Sequence, residues 1–407
     1  MDVFAMEKTW AQTQGEGVTV AVVDTGVDGN HPDLTGQVLA GKDYTGSGNA
    51  REDVAGHGTR MASLIAGHGH GADNSSGMMG LAPKAKILPL RTMKTKDDKN
   101  PEEDWADAVR YAVDHGAEII NLSFGDDYGQ TGPYGREAIA YAQANDVVVV
   151  SGTGNTGTDV GYPAALPGVV AVGAVNESAN LWDSSNTGKE VALTAPGVKI
   201  LAANPTRSPE YSIASGTSDA TAYVSATAAL VRSKYPDLTA GQVINRLIKS
   251  ASFLGHEGLK APDEEYGYGI IRPYQAVTMD IPAGPKENPL GQLQSSDSSS
   301  GETDTSNQAE EEESSSSNVL VIAGGIAAVV VVMAIFFAVI RSRRNRGNNG
   351  PGPGGGFPPQ GTGYPPQSPT GYQPYPNAAP PNQGYPTPPG QPPQHPNPYA
   401  QQPPHQG

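Results

Sequence analysis

The chain has 407 residues, no cysteine, and 42 acidic against 26 basic side chains, for a net charge of -16. That length holds one large domain with appendages. The negative balance excludes a nucleic-acid phosphate backbone as partner, which needs a basic face, and no disulfide can support the domain.

The N-terminal MDVFAMEKTW has neither a basic segment nor an apolar one, so no export signal is visible. No recognisable prodomain follows it, and the expectation is a mature or incomplete form. Further on, GVTVAVVDTG is a short β-branched run ending in turn residues, which predicts a buried parallel strand. KILPLRT, AEIINLSFG, DVVVVSGTG and GVVAVGAV read the same way. Between them GTRMASLIAG, PEEDWADAVRYAVDHG and PYGREAIAYAQAND carry helical spacing. The alternation predicts an α/β domain over 1–280, with a mostly parallel sheet and helices on both faces.

Residues 281–318 are polar, acidic and serine-rich, too poor in apolar side chains to offset chain entropy, and predict a flexible linker. From Val319 to Ile340 the chain carries no charge, and RSRRNR follows. At ~1.5 Å per residue this run crosses the roughly 30 Å hydrocarbon core. The basic cluster then puts residues 341–407 in the cytoplasm and the N-terminal domain outside, in a single-pass protein of the cell membrane. The Pro/Gly/Gln/Tyr tail predicts an extended segment, either a docking strip or solvated chain without specific partners.

The polar residues fall on this frame at one edge of the sheet. Asp24 ends the first strand, and Asn121 and Ser123 end the INLSFG strand. Asn155 follows the VVVVS strand, while His57 and Ser218 each open a helix. Taken singly, each has a structural reading: Asp24 and Asn155 as turn residues, His57 as a hydrogen bonder at a helix start, Ser218 as an N-cap. Taken together they supply a hydroxyl, a base to accept its proton, a carboxylate to orient that base and an amide to hold an oxyanion. DTG also occurs in aspartic proteases, but those need a second such aspartate, and no other DTG or DSG is present.

With AVVDTGVDGNHPDL around Asp24, GHGTRMASLIAG around His57 and SGTSDATAYVSATAALV around Ser218, the chain resembles the subtilisin-like serine proteases, the subtilases. The order Asp, His, Ser matches, and INLSFG and SGTGNTG match two further blocks over roughly residues 10–275. The resemblance implies that Asp24 orients His57, His57 is the general base, Ser218 the nucleophile and Asn155 the oxyanion donor. It also implies that Ser123, Phe124 and Gly125 pair with an extended polypeptide substrate. Gly152, Thr153, Gly154 and Gly161 would form the walls and floor of the pocket for the side chain before the cut. The order of domain, acidic linker, apolar segment and tail is similar to the mycosins, membrane-anchored subtilases of type VII secretion. It implies exported proteins as substrates and secretion-complex subunits as partners. Mycosins usually carry disulfides and a shorter tail.

Four positions depart from the family pattern. Asp219 stands where methionine usually follows the serine, Ala222 where proline is usual, and Arg60-Met61 where His-Val is common. An acid in a first helical turn gains ~0.3–1 kcal/mol from the helix dipole, yet an unpaired charge there opposes an oxyanion by up to about 3 kcal/mol. Arg60 is a candidate partner. Replacing Asp219 by methionine is expected to raise turnover on a small ester. The alternative to an enzyme is a subtilase-shaped scaffold in a secretion complex, with weak or no activity. No cofactor or metal is expected: His68 and His70 in GHGHG, Asp97-Asp98 and Asp126-Asp127 lack ligand spacing.

Overall fold

The computed structural model describes residues 4–46, 48–95, 98, 100–125 and 130–293. The segment 319–340, the tail 341–407 and linker residues 294–318 lie outside them. Among the described residues no helix is long and apolar enough to cross a membrane.

In chain order the domain runs α1 (Met6–Trp10), β1 (Thr19–Asp24), β2 (Lys42–Asp43), α2 (His57–Ala66), β3 (His68–His70), β4 (Ser76–Met79), β5 (Lys86–Arg91), α3 (Glu102–Asp114) and β6 (Ile119–Leu122). It continues with α4 (Pro133–Ala144), β7 (Val148–Gly152), β8 (Val170–Val175), β9 (Val191–Pro196), β10 (Ile200–Ala203), β11 (Tyr211–Ala214), α5 (Thr217–Lys234), α6 (Ala240–Ser250) and α7 (Pro273–Thr278). Seven strands form one sheet in the order β2-β5-β1-β6-β7-β8-β9. Every pairing within it is parallel. The β3–β4 and β10–β11 pairs are antiparallel hairpins outside it.

The two-residue period of a strand divides the apolar side chains between two cores. Val20, Val22, Ile119, Val148 and Val150 face one layer with α2, α5 and α6. Ala21, Val23, Ile120, Leu122 and Val149 face the other, with α3 and α4. Strands covered on both faces have no reason to alternate polar and apolar, which is why they read as continuous runs. The alanine-rich α5 lies inside the first layer, buried from Asp219 through Arg232. Chain order reverses at β1, with β5 on one side and β6 on the other. A crevice at the carboxyl ends of such strands is where α/β sheets place their chemistry.

Residues 281–293, expected to belong to the flexible linker, are instead tied to the domain. Arg246 Nη1 donates to the Ile281 carbonyl, Gln242 Nε2 to that of Gly284, and Thr239 Oγ1 to that of Lys286. Asn288 Nδ2 donates to the Gly168 carbonyl at 2.8 Å, the Leu290 carbonyl accepts from Gly168 N–H, and Leu293 N–H donates to Gln143 Oε1. Composition missed this because every one of these ties has a backbone atom as at least one partner, and backbone carries no compositional signal. Asn288→Ala removes the bond to Gly168 and the acceptor for Leu290 N–H, about 1–2 kcal/mol together. Scanning calorimetry is expected to find Tm lowered by roughly 2–6 °C; an unchanged Tm would mean the segment adds nothing to the fold.

Candidate active site

His57 reaches Asp24 because the first turn of α2 lies directly against the end of β1. Gly58 permits that approach: a Cβ there would stand 2.0 Å from the Gly26 carbonyl oxygen. The helix begins after Gly56, whose φ of 84° is the left-handed region glycine adopts without strain. Its first turn is held by Asp53, which accepts from Gly56 N–H (2.7 Å), Thr59 N–H (2.9 Å), Thr59 Oγ1 (2.7 Å) and Thr25 Oγ1 (2.9 Å). Burial pushes the Asp53 carboxyl above the usual carboxylate range, although the bonds from Thr59 and Gly56 oppose it. Thr25 completes the clamp, taking Gly58 N–H on its hydroxyl and giving its own N–H to Asp24 Oδ1.

The Asp24 side chain is 0% exposed and that of His57 16%. His57 Nδ1 lies 2.8 Å from Asp24 Oδ1 and 2.9 Å from Oδ2. Burial alone favours the neutral ring. The charge of Asp24 and its hydrogen bond, followed by the charges of Asp219 and Asp53, outweigh that effect and raise His57 above the ordinary imidazole value. A buried carboxylate on Nδ1 leaves Nε2 as the nitrogen free to take a proton.

Ser218 sits in the first turn of α5, after Gly216 and Thr217. Its Oγ donates to the Ser123 carbonyl at 3.1 Å, and its own carbonyl accepts from Ser123 Oγ at 3.2 Å. The hydroxyl therefore rests on the end of β6 and has to rotate before handing a proton to His57. Asn155 is fixed on one side, with Oδ1 accepting from Thr217 N–H (2.8 Å) and Thr217 Oγ1 (3.1 Å). That leaves Nδ2 as a free donor. A Cβ on Gly216 would lie 4.0 Å from Asn155 Nδ2 and 3.7 Å from Ser218 N, so both amides border one small space.

Beside this centre the glycine-rich segments close on each other. Gly161 N–H donates to the Thr153 carbonyl at 2.9 Å, and Gly154 N–H to Thr217 Oγ1 at 3.3 Å. Gly152 has no room for a side chain, since a Cβ would stand 2.9 Å from Thr217 Oγ1. Across the gap, a Cβ on Gly125 would be 3.6 Å from the Tyr162 carbonyl oxygen and 3.9 Å from that of Gly152. Phe124 leans instead toward Trp105, ring centroids 6.0 Å apart.

A model of the Subtilase family matches residues 15–269. The chain belongs to the subtilase family. It is 33% identical over 263 residues to subtilisin DY of Bacillus licheniformis, a match covering 63% of this chain and 90% of that protein. The fold is similar to the crystal structure of MycP1 from Mycobacterium smegmatis, with TM-score 0.60 and 29% identity, covering 71% of this chain and 86% of the other. A structure of MycP1 from the ESX-1 type VII secretion system gives TM-score 0.62 and 28% identity over 72% and 88% of the two chains. This subtilase is accordingly a serine protease, with MycP1 among its structural neighbours.

The structure pairs His57 with Asp24, sets Ser218 against Ser123 and Asn155 against Thr217, the neighbour of Ser218; Gly152 and Gly154 meet the same Thr217, Gly161 meets Thr153, Gly125 approaches Gly152, and Phe124 packs toward Trp105. His68 and His70 lie elsewhere: His68 Nε2 contacts the Thr35 carbonyl, and His70 Nδ1 the buried Asp33. Among the described residues no group of three or more His, Asp or Glu is placed to hold a metal. Asp97, Asp126 and Asp127 lie outside those residues. Sequence reasoning missed Asp53, Thr25 and Thr217, whose roles are to fix the backbone that carries the site. Asp219 is not an isolated charge: it is ion-paired with Arg60 at 2.7 Å. The repulsion expected from a lone carboxylate is therefore largely offset, and the expectation that Asp219→Met accelerates turnover is withdrawn, since it would strand a buried guanidinium.

Proposed function

We propose that this subtilase is a membrane-anchored serine endopeptidase that cuts exported proteins outside the cytoplasmic membrane, within a type VII secretion system. The Asp24–His57 contact at 2.8 Å, in a helix turn whose Arg60 is ion-paired to Asp219 of the Ser218 turn, supports the catalytic part. An extended peptide pairs with the backbone of 123–125 and sets its scissile carbonyl beside Ser218. Ser218 Oγ turns from the Ser123 carbonyl, gives its proton to His57 Nε2 and attacks, while Asp24 stabilises the imidazolium. Asn155 Nδ2 and Ser218 N–H hold the oxyanion, aided by the positive end of α5. His57 then protonates the leaving amine, and water releases the acyl group by the same path. The uncharged run 319–340 with its following basic cluster supports the anchor and the outward-facing domain. The likeness to MycP1 supports the secretion setting.

Two measurements test this reading. With the full chain in detergent micelles and a fluorogenic peptide, Asn155→Ala is expected to lower kcat by about 10²–10³ with little change in KM. Losses of that size follow removal of one oxyanion donor in enzymes of this fold. A drop confined to KM would remove Asn155 from the oxyanion site. In intact cells an added protease is expected to degrade the 1–293 domain and spare an epitope placed at the C-terminus. The reverse pattern would invert the topology and end the exported-substrate proposal.

A further inference from the structure

Arg60 and Asp219 occupy the first turns of α2 and α5, the same two turns that carry His57 and Ser218. Both are buried, at 4% and 2% exposure. Arg60 Nε donates to Asp219 Oδ1 at 2.7 Å and Nη2 to Oδ2 at 3.2 Å, a two-pronged contact. The other edge of the guanidinium serves the β10–β11 hairpin, Nη1 donating to the Ser212 carbonyl at 2.9 Å and Nη2 to the Ile200 carbonyl at 2.5 Å. That hairpin leads directly into Gly216 and Ser218. One planar group thus joins the helix of the base, the helix of the nucleophile and the strand feeding the nucleophile. Burying two charges is a poor route to stability, because desolvation consumes the attraction. A rigid fork, however, fixes angles that apolar packing leaves loose.

We propose that Arg60 and Asp219 form a positioning pair for the proteolytic centre: the guanidinium fork sets the spacing of His57 and Ser218, and the two charges bear on His57 in opposite senses. The inference rests on the serine-protease reading above. The charged groups facing His57 are Asp24 from β1, Asp53 from the loop before α2, Asp219 from α5, and Arg60 as the partner of Asp219. Asp219 favours the imidazolium, and Arg60 at its side moderates that pull. The two functions separate in two conservative variants. Asp219→Asn keeps an acceptor for Arg60 and deletes the negative charge. Arg60→Lys keeps the positive charge and loses the fork.

The readout is the rate at which a fluorophosphonate probe labels the full-length chain, followed against pH. Neutral His57 is the working form, so the rate climbs as the ring loses its proton. Asp219→Asn is expected to move that climb toward acid, with some loss of plateau because one prong of the fork goes with the charge. Arg60→Lys is expected to leave the climb in place and lower the plateau by roughly 10–100-fold, as misplacement of reacting groups does. Loss of folding stability alone does not move the climb, and with each rate normalised to the folded fraction read by circular dichroism it does not lower the plateau either. An Asp219→Asn climb superimposing on wild type, or an Arg60→Lys plateau equal to wild type, overturns the proposal. If wild type itself does not label, the protease reading falls, an outcome distinct from labelling with unmoved profiles.

Discussion

Replacing Ser218 with alanine is expected to lower kcat by about 10⁶, to the level set by binding and the oxyanion donors alone. The structure argues that no neighbour substitutes for it. Ser123 Oγ is engaged with the Ser218 carbonyl and with Asn121 Nδ2, which donates to it at 2.9 Å. The substitution should leave the fold intact. Ser218 Oγ makes one bond to the Ser123 carbonyl, worth about 1 kcal/mol, and alanine suits the helical turn it would occupy. Activity against the peptide and Tm, measured on the same sample, separate the two effects. A loss of activity accompanied by a large fall in Tm would point to a structural serine instead.

Asp24→Asn is expected to cost about 10⁴ in kcat, for a reason visible in the hydrogen bonds. Asp24 Oδ1 accepts from Thr25 N–H at 2.7 Å, a donor that cannot turn away. An asparagine in its place keeps its carbonyl oxygen on Thr25 and presents its NH₂ to His57 Nδ1. The imidazole then carries its proton on Nε2, the nitrogen that must accept from Ser218. The pH dependence changes as well. With Asp24 present, His57 is raised above its ordinary value, so activity falls as pH drops through that raised value, while the pair's contribution to folding is lost as pH rises through it. The variant's residual rate is expected to climb at lower pH than wild type. A residual rate climbing at the wild-type pH would mean that Asp24 does not govern His57.

The central sheet was legible because its five inner strands are covered on both faces and so read as uninterrupted apolar runs. The two edge strands were not. β2 is Lys42–Asp43, two charged residues, and β9 ends in Pro196 within a mixed segment. The hairpins were also missed: β10–β11 leaves Leu201 and Ile213 exposed, so its sequence has no simple relation to the core. α6 went unread, although Thr239 and Gln242 form a capping box whose residues stand in the sequence. At the site, residues bearing chemistry stood in recognisable blocks, but those that hold them did not. Asp53 is an ordinary acid in REDVAG until the fold turns five donors onto it. Asp219 could be seen as out of pattern and Arg60 named as its candidate partner, and the packing of α2 on α5 brings the two together across 159 positions of sequence. The ties on 281–293 were illegible for a similar reason, being made to backbone atoms.

The account stands on Ser218 being an activated nucleophile in the intact protein. The most direct measurement treats the full-length chain and its Ser218→Ala variant with a fluorophosphonate probe, then maps the modified peptide. Stoichiometric modification at Ser218 is expected in wild type and none in the variant. A folded wild-type chain that stays unmodified, or one modified elsewhere to the same extent in both proteins, would contradict it and leave a subtilase fold used as a scaffold.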